Sequence, residues 1–124
     1  IYGSLWVDDM IVQDFNTTLW SGAIYLLDTH VIRPSKALSN CMTGWILQWQ
    51  YYQPGVGKED HNYQFTYIPK ATLKNAGTGH RALLRVTDRY VTKYFYVRNE
   101  TITGHASNGE GDNRYLVLTA IYEF

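Results

Sequence analysis

Glycan cleavage needs two carboxyl groups about 5–10 Å apart, so the acids come first. They are Asp8, Asp9, Asp14, Asp28, Glu59, Asp60, Asp88, Glu100, Glu110, Asp112 and Glu123. None sits in a recognisable catalytic context, and Glu59-Asp60 and Glu110/Asp112 fall in Gly-flanked segments suited to solvated loops. The four histidines, His30, His61, His80 and His105, are widely spaced without an HExxH or His-x-His pair, so no metal site is expected. Asn108-Gly-Glu-Gly-Asp-Asn113 alternates oxygen ligands with glycine but lacks the closing bidentate Glu of a calcium loop. Ala76-Gly-Thr-Gly79 has no Lys-Ser/Thr after it and is not a phosphate cradle. Cys41 is expected to be a structural thiol. No catalytic residue and no cofactor follow from these patterns.

Aromatic and amide groups are what the chain has in excess. Sugar recognition uses a flat ring against the apolar face of a pyranose and polar side chains for its hydroxyls, in a site that excludes water. Candidate rings are Trp20, Trp45, Trp49, Tyr51, Tyr52 and Tyr63; candidate polar partners are Gln48, Gln50, Asp60, Asn62, His105, Asn108, Asp112 and Arg114. Trp45 and Trp49 share parity with Leu47 and equally suit a core. Tyr52, Asp60 and His61 are expected to meet solvent. The binding set is therefore Tyr52, Asp60, His61, Asn62, Gln48, Gln50, Trp49, His105, Asp112 and Arg114.

Strands must position these groups. Alternating β-branched and aromatic residues mark 19–27, 45–52, 62–68, 81–87, 90–97 and 115–124, with a weaker run at 5–12, separated by Gly, Pro and Asn clusters. Only 35–41 has helix character, for one or two turns. The expectation is an all-β, antiparallel β-sandwich or jelly-roll-like domain with at most one short helix. Within it, 45–52 and 62–68 should form a hairpin around Gln53-Pro-Gly-Val-Gly-Lys-Glu-Asp60, with Trp49 facing Tyr63 and Leu47 facing Phe65. The opposite face would carry Gln48, Gln50, Tyr52, Asn62, Gln64 and Thr66. Segments 115–124 and 19–27 are apolar on both sides, as a central strand or one shared with another subunit would be; self-association is expected.

Composition narrows the partners. The 124 residues hold 11 basic and 11 acidic side chains, and this balance argues against nucleic acid. Charged residues are 18% and aromatics 15%, which suits a surface made for contact. A single Cys excludes an internal disulfide framework, and no 18-residue apolar run suggests membrane insertion. The sequence opens on Ile1 with neither initiator Met nor leader, and a longer parent chain is the expectation. Asn16-Thr-Thr and Asn99-Glu-Thr match the glycosylation sequon.

Several segments, in order and spacing, resemble one family. They are Leu19-Trp-Ser-Gly-Ala23; Gly44-Trp-Ile-Leu-Gln-Trp-Gln-Tyr-Tyr-Gln-Pro-Gly-Val-Gly57, running on through Asp60-His-Asn-Tyr-Gln-Phe-Thr-Tyr-Ile-Pro-Lys70; Lys93-Tyr-Phe-Tyr-Val97; Thr101-Ile-Thr-Gly-His-Ala-Ser-Asn108; and Val117-Leu-Thr-Ala-Ile-Tyr-Glu-Phe124. Together they resemble the C-terminal head domain of tail-fibre and baseplate receptor-binding proteins of long-tailed phages and prophages of Gram-positive bacteria. The resemblance covers 18–124; residues 1–17 would be the end of a stalk or a linking segment. It implies a virion location at the tail tip or baseplate and a homotrimer. It also implies attachment to a host cell-wall saccharide or teichoic acid, and contact with other tail or baseplate proteins through a missing N-terminal part. It transfers no catalytic residue. Two alternatives stand beside a non-enzymatic receptor-binding head: a structural trimerising cap without ligand, and a depolymerase that cuts its receptor.

Overall fold

The computed structural model describes residues 16–124, so the weak strand expected at 5–12 lies outside the described residues, as does most of the expected stalk segment. Among the described residues nine strands run in the order β1 (Thr18–Ile24), β2 (Val31–Ile32), β3 (Gly44–Gln53), β4 (Gly57–Lys58), β5 (Gln64–Pro69), β6 (Gly79–Val86), β7 (Arg89–Val97), β8 (Ile102–Thr103) and β9 (Leu116–Glu123). They build two antiparallel sheets. In the first, β9 lies between β1 and β3, and the far edge of β3 is shared by β5 and β4. The second has the order β2-β8-β7-β6. Every described helical piece is a short 3-10 turn; the expected helix at 35–41 shrinks to Leu38–Asn40. No described helix is long and apolar enough to cross a membrane.

The two-residue period places the core. Trp45, Leu47 and Trp49 of β3, Leu116, Leu118 and Ile121 of β9, and Val91, Phe95 and Val97 of β7 are all buried between the sheets. The rings of Trp49 and Phe95, 6.3 Å apart, join one sheet to the other. Burying such side chains is worth about 1.5–3 kcal/mol each. Residues 116–121 are buried without interruption. The doubly apolar β9 is thus the central strand of one chain's own sheet and needs no second subunit to cover it.

A one-residue correction changes which rings reach solvent. In the β3–β5 ladder Trp49 lies opposite Gln64, Leu47 opposite Thr66 and Trp45 opposite Ile68, instead of the expected Trp49–Tyr63 and Leu47–Phe65 pairs. Residues opposite one another share a face, so the slip turns every β5 side chain over. Phe65 and Tyr67 now stand on the outer face, opposite Gln48 and Ile46. Thr66 turns inward and its hydroxyl accepts the indole N–H of Trp49 at 2.9 Å. The connecting segment folds β4 back onto Tyr52 and Gln53, so a count from a simple turn misplaces β5 by one.

Side-chain amides close the remaining gaps. Gln64 reaches the free edge of β6, where its Oε1 accepts the Arg85 N–H at 3.3 Å and its Nε2 donates to the Arg85 carbonyl. Asn108 is fully buried and serves β7 in the same way: its Oδ1 accepts from the Tyr94 N–H at 2.8 Å, and its Nδ2 donates to the Tyr94 and Leu26 carbonyls at 2.8 and 2.7 Å. Leu26 adopts a left-handed φ of 69°, a conformation that L-residues resist. It turns its carbonyl toward both Asn108 and the His105 N–H.

Candidate functional site

The outer face of the first sheet carries a groove of about 370 Å³ lined by Asn16, Ile46, Gln48, Phe65, Tyr67 and Tyr122. β3, β5 and β9 position five of these residues by strand alternation: Ile46 lies opposite both Tyr67 and Tyr122, and Gln48 opposite Phe65. Phe65 and Tyr67 are 50% and 62% exposed, unusual for rings of this size. Phe124 meets Tyr67 edge-to-face at 5.1 Å and holds that ring in place.

The polar groups form a fixed chain beneath the rings. Gln48 Nε2 donates to Thr119 Oγ1 at 3.0 Å, and Gln48 Oε1 accepts from the Tyr122 hydroxyl at 2.9 Å. Thr119 reaches this face because β9 is irregular there, Gln48 pairing with Ala120 and Trp49 with Leu118. Asn16, at φ 71°, donates from Nδ2 to the Glu123 carbonyl at 2.8 Å and closes one end. Among the described residues no Asp, Glu, Lys or Arg lines the groove. The adjoining ion pair, Lys36 to Glu123 at 3.0 Å, lines a neighbouring depression that shares Asn16. Glu123 also accepts from the Met42 N–H, and these two hydrogen bonds hold its carboxyl below the usual range.

Of the residues expected to bind sugar, only Gln48 belongs to this groove. Trp49 is fully buried against Phe95 and Thr66; it is a core residue, not a ligand platform. Gln50 is also buried, its Nε2 donating to the Glu59 carbonyl at 3.0 Å. Tyr52 lines a separate, smaller groove of about 180 Å³ with Ala23, Ile24, Tyr25, His30 and Val117. Asp60, His61 and Asn62 are exposed between β4 and β5, with His61 against Tyr51 at 5.1 Å and Asp60 accepting from the Tyr63 hydroxyl.

The other three expected residues lie elsewhere, near β7. The His105 ring packs on Tyr94 and its Nδ1 accepts from the Ser107 N–H at 3.1 Å, capping a 3-10 turn. Asp112 pairs with Arg89 at 2.9 Å. Arg114 donates to the Gly111 carbonyl. The predicted set is therefore scattered, and the calcium-like segment is committed internally through Asn108 and through Asn113, whose Oδ1 accepts the Thr92 N–H. Among the described residues no three His, Cys, Asp or Glu side chains come together as a metal site.

Sequence reasoning missed Phe65, Tyr67, Tyr122, Ile46 and Asn16. The first two were assigned to the core by the register error. Reading Gly44 opposite Pro69 corrects it: a Cβ on Gly44 would fall 2.1 Å from the Ile68 carbonyl oxygen, so glycine there marks where β5 crosses β3 closely.

A further depression of about 500 Å³ lies at the β6–β7 end, lined by Gln64, Leu83, Leu84, Arg85, Tyr90, Val91 and Thr92. It offers less to a ligand. The Arg85 guanidinium already covers the Tyr90 ring, 5.1 Å from its centroid, and the Gln64 amide is consumed by the Arg85 backbone. No family model, curated protein or solved structure matches the chain.

Proposed function

We propose that this domain is a non-enzymatic receptor-binding head of a phage tail or baseplate protein, and that it attaches to a cell-surface saccharide. The observation that carries this reading is the groove on the outer face, where the exposed rings of Phe65 and Tyr67 stand beside the tethered polar groups of Gln48 and Tyr122. Rings of this kind stack on the apolar face of a sugar, and fixed amide and hydroxyl groups select its hydroxyls. The phage setting rests on the resemblance of segments 19–23, 44–70, 93–97, 101–108 and 117–124.

The same resemblance supports a homotrimer. Single shallow sugar sites bind weakly, and linked copies raise the effective concentration at a polymeric surface. Light scattering should give about three times the chain mass of 14.4 kDa; a monomer removes the trimer from the reading. A saccharide panel titrated into the intact protein tests the binding function itself. Binding that disappears in Tyr67→Ala, with the melting temperature unchanged, is the expected result.

A second reading, the ligand-free trimerising cap, is favoured by one observation: Tyr63, just before β5, and Phe65 and Tyr67 on it all lie exposed, where a neighbouring copy would bury them. If Tyr67→Ala dissociates the oligomer and no saccharide binds the parent protein, this second reading replaces the first.

A further inference from the structure

We infer that the groove accepts an uncharged ligand group that donates and accepts hydrogen bonds at once, a sugar hydroxyl or N-acyl amide, and turns away anionic glycans. The inference rests on the saccharide reading above and names the chemical class of its ligand.

The valences of the polar chain carry it. An amide nitrogen has two protons. Gln48 Nε2 gives one to Thr119 Oγ1 at 3.0 Å and keeps one to offer. A phenol has one proton, and Tyr122 gives it to Gln48 Oε1 at 2.9 Å. The Tyr122 oxygen therefore faces a ligand as an acceptor. Gln48 and Tyr122, tied to each other, present one donor and one acceptor, and the Tyr67 hydroxyl and Asn16 amide that also line the groove can each donate and accept. A hydroxyl or a secondary amide satisfies both members of the Gln48–Tyr122 pair. A carboxylate or phosphate diester oxygen only accepts; at the Gln48–Tyr122 pair it would use the Gln48 donor and meet the lone pairs of Tyr122.

Charge argues the same way. Among the described residues no cationic side chain lines the groove, and the adjacent Lys36 is already paired with Glu123 at 3.0 Å. An anion settling on Phe65 and Tyr67 would lose water without gaining a counter-charge, which is costly. The arginines of the second sheet that overlie Tyr94 and Tyr90, Arg81 and Arg85, belong to β6 and are absent from the groove lining. Because the residues that would bind carry no net charge, affinity should be insensitive to ionic strength.

The test titrates the intact protein with two classes of probe, at low and at high salt. The neutral probes are a glucose oligomer and an N-acetylglucosamine oligomer; the anionic probe is poly(glycerol phosphate). The expected result is binding of a neutral oligomer with an affinity unchanged by salt. Tyr122→Phe should weaken it about tenfold, and Tyr67→Ser, an exposed position that leaves the melting temperature in place, should abolish it. Preferential binding of poly(glycerol phosphate) that weakens with salt and is lost in Tyr67→Ser overturns the neutral-ligand inference and leaves standing a receptor-binding head whose receptor is an anionic polyol phosphate. Binding of neither class overturns the head reading and this inference together. Should Tyr122→Phe fail to fold, the comparison of probes, salt and Tyr67→Ser decides alone.

Discussion

The Lys93 side chain, fully buried between the two sheets, donates from Nζ to the main-chain carbonyl of Asn108 at 3.0 Å and lies over the Tyr25 ring at 5.5 Å. It occupies an inward position of β7 between Val91 and Phe95, where alternation calls for an apolar residue. Burial pushes its pKa down from 10.5 to about 7.

That depression gives stability a definite pH slope. Between pH 7 and 10.5 the unfolded chain binds a proton at Lys93 that the folded chain has released, so stability rises with pH across this window. From pH 7 to 8.5 the gain should be about 2 kcal/mol. Above that, Cys41 and Tyr25, both raised by burial, act in the opposite sense. Urea denaturation at pH 7 and 8.5 checks this; Lys93→Met should flatten the slope, and a stability that falls across the window contradicts it.

Asn108 stitches the 3-10 turn at Ala106–Gly109 to β7 through both polar groups of Tyr94 and to Leu26. Asn108→Leu leaves the Tyr94 N–H and two carbonyls buried without that partner. The expected loss is about 3–5 kcal/mol by chemical denaturation. A loss below 1 kcal/mol, on the order of a single surface hydrogen bond, would mean that the turn is not held this way.

Thr87 opens the two-residue connection between β6 and β7 at φ 53°, while Asp88 keeps a negative φ. Two-residue hairpins of this kind favour glycine at the first position, and a β-branched residue there is strained. Thr87→Gly should therefore raise stability by about 1 kcal/mol, read as a higher melting temperature. A fall would show that the Thr87 hydroxyl, which donates to the Val86 carbonyl at 2.6 Å, matters more than the strain.

Two rings on neighbouring strands should behave oppositely. Trp49→Ala opens a cavity between the sheets and should cost about 3–5 kcal/mol. Tyr67→Ala removes an exposed ring and should leave stability within about 0.5 kcal/mol. Thermal unfolding of the pair checks the register of β5 directly, because the expected Trp49–Tyr63 pairing would have put Tyr67 in the core as well.

Much of this architecture was legible in the chain. The alternation at Trp45, Leu47 and Trp49, and the apolar run from Leu116 to Ile121, located β3 and β9 to within a residue or two and gave two stacked antiparallel sheets. The two-residue strands β2, β4 and β8 were not readable, because so short a segment has no period. The groove was hidden by a register that depends on β4 folding back onto β3, a tertiary event without a local signature. Asn108 and Lys93 escaped for another reason. In the sequence Asn108 reads as a candidate sugar partner in a calcium-like segment and Lys93 has no assigned role, because nothing local marks a polar side chain that is satisfied inside the core.

The most direct test of the account is residue-resolved NMR of the intact protein during titration with a neutral oligosaccharide. The account predicts progressive shifts at Ile46, Gln48, Phe65, Tyr67 and Tyr122, with the outer residues of β6 and β7 unmoved. Shifts confined to Arg81, Leu83, Arg85 and Tyr90, or none anywhere at saturating ligand, would contradict it.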